Sequence, residues 1–236
     1  MASSIAEKLA AVGAGMRAAA VQHGRAPDAV RLIAVSKTHN AASIRAAFAA
    51  GQRDFGENYL QEALDKMQEL TDLPLVWHFI GPIQSNKTRA LASYFDWVHT
   101  VDRVKVAQRL SAQRPAERGP LNVLLQVNIS AEASKAGCTL AELPGLASSV
   151  AALPLLRLRG LMAIPAPEAS AARQRAAFRQ LADAARALRA AGHADCTELS
   201  MGMSQDYQAA IAEGATLVRI GSDIFGPRPE SRVQGT

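Results

Sequence analysis

The chain has 236 residues, 49% of them hydrophobic and 20% charged, with a net charge of +5. This composition excludes disorder and fits a chain that buries a large apolar core. No run of about 18 uncharged apolar residues occurs, which argues against a membrane span, and the scattered basic residues form no aromatic-plus-basic stretch of the kind that binds nucleic acid specifically. Segment 3–22 comes first, with Glu7, Lys8 and Arg17 interrupting its apolar residues. It predicts an amphipathic helix rather than a signal peptide. Short apolar or β-branched runs then occur at 30–36, 53–55, 76–80, 96–100, 121–128, 155–162, 196–200 and 216–220. Between them, 40–50, 58–71, 85–93, 102–113, 139–152, 168–191 and 204–213 carry helical periodicity. In 168–191, Phe178, Leu181, Ala185 and Leu188 share one stripe with arginines opposite.

Strict alternation of strand and helix predicts a parallel sheet, because parallel neighbours need crossovers. Several strands are apolar throughout, as expected when both faces are covered. Eight such units over about 230 residues match a closed (β/α)8 barrel, with an open doubly wound sheet as the alternative. The expected organisation is one domain: helix 3–22, a barrel over about 30–228 and a short C-terminal tail. Little sequence follows the last strand, so helix 3–22 is expected to cover the place of an eighth helix. Cys138 and Cys196 form no CxxC or Cys/His cluster. That pattern fits a cytoplasmic protein with reduced thiols and no metal site.

Barrel chemistry gathers at the C-terminal ends of the strands. Strand one ends in Ser36-Lys37-Thr38-His39. Lys37 is either a solvated side chain or an amine held for Schiff-base chemistry in a partly dry pocket. Strand two ends in Gly56-Glu57-Asn58, where Asn58 either caps the next helix or faces a ligand. His78 alternates with Trp77 and Phe79 and so points to the barrel interior or mouth. Strand seven runs into Met201-Gly202-Met203-Ser204, and strand eight into Arg219-Ile220-Gly221-Ser222. Glycine-exposed N–H groups beside serine hydroxyls make an anion cradle. The loops after strands seven and eight are where barrels often hold phosphate. Two such loops opposite a strand-one lysine point to a phosphorylated carbonyl ligand.

Several long motifs also occur in order: IAVSKT (33–38), FGENYLQEALDK (55–66), WHFIGPIQSNK (77–87), RGLMAIP (159–165), LSMGMSQD (199–206) and VRIGSDIFGPR (218–228). With these the sequence resembles the pyridoxal phosphate homeostasis protein family (YggS/PROSC) from about residue 5 to 228. The resemblance implies a fold-type III barrel like the N-terminal domain of alanine racemase. It implies that Lys37 carries pyridoxal 5′-phosphate (PLP) as a Schiff base, and that Ser204, Gly221 and Ser222 hold the phosphate. It places Arg219 at the pyridine nitrogen, Asn58 against the cofactor, and His78 and Met201 near the ring. His39 departs from the pattern, because the family often has a second lysine two residues after the first. Lys135, in the SKAG segment, is a candidate secondary amine.

An arginine donates to the ring nitrogen and does not readily protonate it, which leaves the ring a weaker electron sink. The expected function is therefore a PLP carrier that takes part in vitamin B6 homeostasis without robust catalysis. PLP-dependent apo-enzymes are possible recipients, and a monomer is expected. The alternative is an enzyme, either a PLP-dependent amino-acid racemase or a Schiff-base aldolase. The shortness of the chain argues against the racemase, which adds a β-domain to the same barrel.

Overall fold

A computed structural model of the chain describes residues 3–130, 136–168 and 170–227. Helix α1 (Ile5–Gln22) opens with a capping box, in which the Ser4 hydroxyl accepts the Glu7 N–H and the Glu7 carboxylate accepts the Ser4 N–H. Eight strands follow: β1 (Arg31–Val35), β2 (Asp54–Glu57), β3 (Val76–Phe79), β4 (Trp97–Val101), β5 (Leu121–Gln126), β6 (Leu156–Met162), β7 (Glu198–Ser200) and β8 (Leu217–Ile220). Between them run α2 (Ala41–Ala49), α3 (Leu60–Glu69), α4 (Thr88–Tyr94), α5 (Val104–Gln113), α6 (Leu143–Ala151), α7 (Ala171–Ala190) and α8 (Tyr207–Ala212). A one-turn helix, α9 (Ser222–Phe225), follows β8.

All strand pairs are parallel, and β8 pairs with β1 to close the barrel in sequence order. The closed barrel, not the open sheet, is thus the architecture. Helix α1 packs against α8, α9 and α2. It occupies the gap between the last and first helical units, where an eighth barrel helix would lie. Arg25, just after it, donates to the Ile211 carbonyl at 2.9 Å and ties this end to α8.

The strands differ from their expected bounds where polar residues are hidden. Segment 53–55 was expected as strand two, yet pairing runs on through Gly56 and Glu57, opposite His78 and Phe79. A Cβ at Gly56 would lie 3.0 Å from an Ile33 methyl and 3.1 Å from an Ile80 methyl, so a larger residue there would need those side chains to give way. Helix α8 begins at Tyr207 rather than at Ser204, because Met203 to Asp206 form a turn closed by the Met203 N–H on the Asp206 carboxylate at 2.6 Å.

Strand alternation divides the buried side chains into two layers. The larger lies between sheet and helices and includes Phe55, Trp77, Phe79, Val98, Leu161, Val218 and Ile220. The smaller fills the barrel with Ile33, Trp97, Leu124, Met162 and Leu217, with Val76 packed against it. On β8, Leu217 thus faces inward and Val218 outward, so Arg219 is turned inward above Leu217. The barrel interior accordingly carries an apolar layer with a charged residue set above it.

Candidate functional site

A cavity of about 690 Å³ opens at the C-terminal ends of the strands. Its lining includes six of the eight residues expected at a site: Lys37, Asn58, Ser204, Arg219, Gly221 and Ser222. The size falls within the range of small-molecule sites.

Lys37 leaves β1 on the inward side with Val35, and Ser36 between them turns outward. The Ser36 hydroxyl donates to Glu57 Oε1 at 2.6 Å. Lys66, reaching over from α3, donates to that same oxygen at 2.7 Å, to the Ser36 carbonyl at 2.8 Å and to Glu62 Oε1 at 2.6 Å. On the other side of Lys37, Thr38 holds φ +67 and donates its N–H to Glu62 Oε1 at 2.5 Å. A left-handed threonine costs about 1–3 kcal/mol and needs such fixing. Both neighbours of Lys37 are thus pinned by one acid–base cluster. Burial pushes the Glu57 carboxyl up from the ordinary carboxylate value, against the pull of Lys66 and the Ser36 hydroxyl.

Across the cavity, Ser204 Oγ and Ser222 Oγ stand 3.3 Å apart, one from the loop after β7 and one from the first turn of α9. Gly221 sits beside β1, where a Cβ would be 2.9 Å from the Val35 carbonyl oxygen. Glycine there lets the serine loop lie against the end of β1, next to Lys37. Gly202 holds φ +94, a left-handed turn that L side chains resist.

Arg219 is 4% exposed, and burial pushes its guanidinium down to about 10, so it stays charged at neutral pH. Its Nη1 donates to Ser200 Oγ at 2.7 Å and its Nη2 to the Ala163 carbonyl at 3.0 Å. Asp206 also lines the cavity, and burial raises its carboxyl above the ordinary value. Asn58 caps nothing: α3 is preceded by Tyr59 and has no side-chain cap. Its Oδ1 is buried and accepts no hydrogen bond among the described residues, and Asn58 lines the cavity.

Two expected residues lie elsewhere. The alternation that turns Ser200 inward turns Met201 outward into the sheet–helix layer, and Met203 lines the cavity instead. His78 does point into the barrel, as its alternation with Trp77 and Phe79 requires, but it is fully enclosed. It stacks on Trp97 with centroids 5.6 Å apart. His39 lines the cavity and packs on Phe225, with burial lowering its pKa. Lys135 lies outside the described residues.

Sequence reasoning missed Glu57, Glu62, Lys66 and Asp206. All four sit inside the FGENYLQEALDK and LSMGMSQD motifs. Glu62 and Lys66 lie on α3, Glu57 ends β2 and Asp206 precedes α8, and nothing local in the sequence marks them as partners.

A family model described as "Alanine racemase, N-terminal domain" matches residues 15–229. The chain is 62% identical to the pyridoxal phosphate homeostasis protein of Pseudomonas aeruginosa, over 96% of each chain. Among solved structures it is similar to PipY of Synechococcus elongatus with PLP bound, with a TM-score of 0.82 and 42% identity, covering 94% of this chain and 100% of that one. Alanine racemase from Corynebacterium glutamicum has a TM-score of 0.64 at 21% identity, covering 96% of this chain and 63% of the racemase, which shows a shared fold. The chain belongs to the pyridoxal phosphate homeostasis protein family, within the wider group named for the N-terminal domain of alanine racemase.

Proposed function

We propose that this protein binds PLP in the barrel-mouth cavity, through the Lys37 amine, and takes part in PLP homeostasis as a carrier rather than as a robust catalyst. The observation that carries this reading is the convergence of Lys37, Arg219 and the Ser204–Ser222 pair on one cavity. PLP, when bound, supplies an aldehyde that condenses with amines and a pyridine ring that draws electron density. The residues fit each of its parts. Lys37 is the amine at the end of β1, held in place by its fixed neighbours. Ser204 and Ser222 offer hydroxyls, and Gly221 a close backbone approach, for the phosphate. Arg219 presents a charged donor to the ring nitrogen and keeps its proton at neutral pH. Asn58 Oδ1 is an acceptor for a ligand donor. His39 contributes an uncharged ring at the rim.

The carrier reading draws support from the names of the relatives and from Arg219, which leaves the ring a weak electron sink. Recipient PLP-dependent apo-enzymes and a monomeric state belong to the same proposal. So does a cytoplasmic location, which the two free, buried thiols Cys138 and Cys196 favour. Among the described residues no helix is long and apolar enough to cross a membrane.

The test is an absorption spectrum of the PLP-loaded protein before and after borohydride reduction, with peptide mass mapping. The label is expected on Lys37, and Lys37→Ala is expected to lose the absorption. A label confined to another lysine overturns the assignment. Incubation with L-amino acids in deuterated water tests the carrier reading, and deuterium at Cα at enzymatic rates would contradict it.

A further inference from the structure

Beyond Arg219, the barrel interior holds a row of polar side chains that PLP binding, as described, does not use. From Arg219 the row runs to Ser200 Oγ at 2.7 Å and from there to His99 Nδ1 at 2.8 Å. His99 Nε2 lies 2.9 Å from His78 Nδ1, and His78 Nε2 lies 3.0 Å from Asp54 Oδ1. Ser200, His99 and His78 are fully buried, whereas Asp54 opens β2 at the other end of the barrel and faces Arg31 at 3.7 Å. The five residues come from β2, β3, β4, β7 and β8, so the row crosses the barrel from one mouth toward the other.

Both ends of this row have a fixed polarity. A guanidinium only donates and a carboxylate only accepts. Asp54 therefore requires a proton on His78 Nε2. Burial lowers the pKa of His78 and takes that of His99 well below the ordinary histidine value, which favours the neutral form of both rings. A neutral His78 then accepts at Nδ1, so His99 must donate from Nε2 and accept at Nδ1. Ser200 must give its one hydroxyl proton to His99, and its oxygen is left to accept from Arg219. No other arrangement of neutral rings makes all four bonds while Asp54 is ionised.

We propose, resting on the placement of PLP in this cavity, that Ser200, His99, His78 and Asp54 are positioning residues for Arg219, acting as a one-directional hydrogen-bond chain that fixes the guanidinium at the cofactor's ring nitrogen. Ser200 is the acceptor that holds Nη1, and the Ala163 carbonyl holds Nη2. The histidines keep Ser200 facing that way: with its proton committed to His99, the hydroxyl cannot rotate to offer Arg219 a hydrogen instead of a lone pair. Neither His78 nor His99 lines the cavity, so neither touches a ligand held there directly.

Two measurements test this. Nitrogen-15 NMR of the PLP-free protein reads the tautomers directly, and both His78 and His99 are expected as neutral rings with the proton on Nε2. An Nδ1-protonated ring at either position overturns the direction of the chain and holds whether or not PLP binds at Lys37. In the PLP-loaded protein, Ser200→Ala and His99→Leu are expected to shift the absorption maximum and to speed PLP loss about tenfold, the size of one good hydrogen bond. Ser200→Thr, which keeps the hydroxyl, and His99→Asn, whose Oδ1 replaces the Nδ1 acceptor, should restore both readouts. A folded His99→Leu protein, still labelled at Lys37 and unchanged in spectrum and retention, overturns the positioning role. Failure of labelling at Lys37 in the wild type would instead defeat the PLP assignment and leave the tautomer result standing.

Discussion

Lys66 Nζ lies 2.7 Å from Glu57 Oε1, with both side chains almost entirely shielded from water. Two ions buried together gain from their attraction but lose hydration, so the pair itself adds little net stability. Removing one partner is another matter. Lys66→Met leaves Glu57 without its cation and releases the Ser36 carbonyl and Glu62. The expected loss is about 3–5 kcal/mol in urea unfolding at pH 8. The loss should shrink as the pH falls, because Glu57 already has a raised pKa and escapes its penalty by taking a proton. A loss independent of pH would mean that Glu57 is not the group left stranded. PLP retention should fall in the same variant, since Ser36 and Thr38 flank Lys37.

Acid should weaken the fold through the barrel histidines. Burial depresses the pKa of both His78 and His99, the second strongly. A group whose folded pKa lies below its unfolded value contributes stability that is full above the unfolded value and is lost as pH falls toward the folded one. The unfolded value is about 6.5, so stability should decline as pH drops below that point. Asp54 opposes the shift of His78, while Arg31 and Arg219 add to that of His78 and His99 respectively. Urea unfolding of wild type and His99→Leu between pH 7 and 5 checks this. The variant should show a shallower decline, and equal slopes would contradict the assignment.

The barrel was legible because its signal is periodic and local. Strands 76–80 and 216–220 bury both faces, and the helix stripe of Phe178, Leu181, Ala185 and Leu188 is buried as read. Lys37, Ser204, Gly221 and Ser222 were legible for a different reason, since the barrel itself assigns them to one rim. What the sequence hides is the pairing of polar residues far apart in the chain. His99 and Ser200 are separated by 101 positions, and Lys66 and Ser36 by 30. Nothing local marks such partners, so His78 read as facing either the barrel interior or its mouth, and Lys66 was not singled out. Met201 was placed near the ring by resemblance alone, whereas strand alternation turns it outward into the sheet–helix layer.

The serine pair should act on one group. Ser204→Ala and Ser222→Ala each remove a hydroxyl from the cradle, and a charge-assisted bond of this kind is worth about 1.5–3 kcal/mol. PLP loss measured by dialysis or by transfer to an acceptor should be faster in each. The two hydroxyls stand within 3.3 Å, so their effects should not add. Unchanged retention in the double variant would place the phosphate elsewhere.

Gly221 offers a purely steric test of the same cradle. Its φ of −120 suits any residue, so backbone strain is not at issue. The obstacle is space: a Cβ would sit 2.9 Å from the Val35 carbonyl oxygen and 3.3 Å from Val35 Cβ. Neither atom can swing aside, because Val35 is the last residue of β1 and its strand is paired on both sides. Gly221→Ala must therefore push the Ser222 loop away from Lys37. It should cost about 1–3 kcal/mol of stability and weaken PLP retention by at least as much as Ser222→Ala. Gly145→Ala is the matched control, since that glycine lies in α6 with open space around its Cβ position. Helix propensity predicts that this change stabilises by up to about 1 kcal/mol and leaves PLP retention alone. Equal retention in the Gly221 and Gly145 variants would show that the cradle tolerates the displacement and that phosphate binding does not depend on the close approach of β8 to β1.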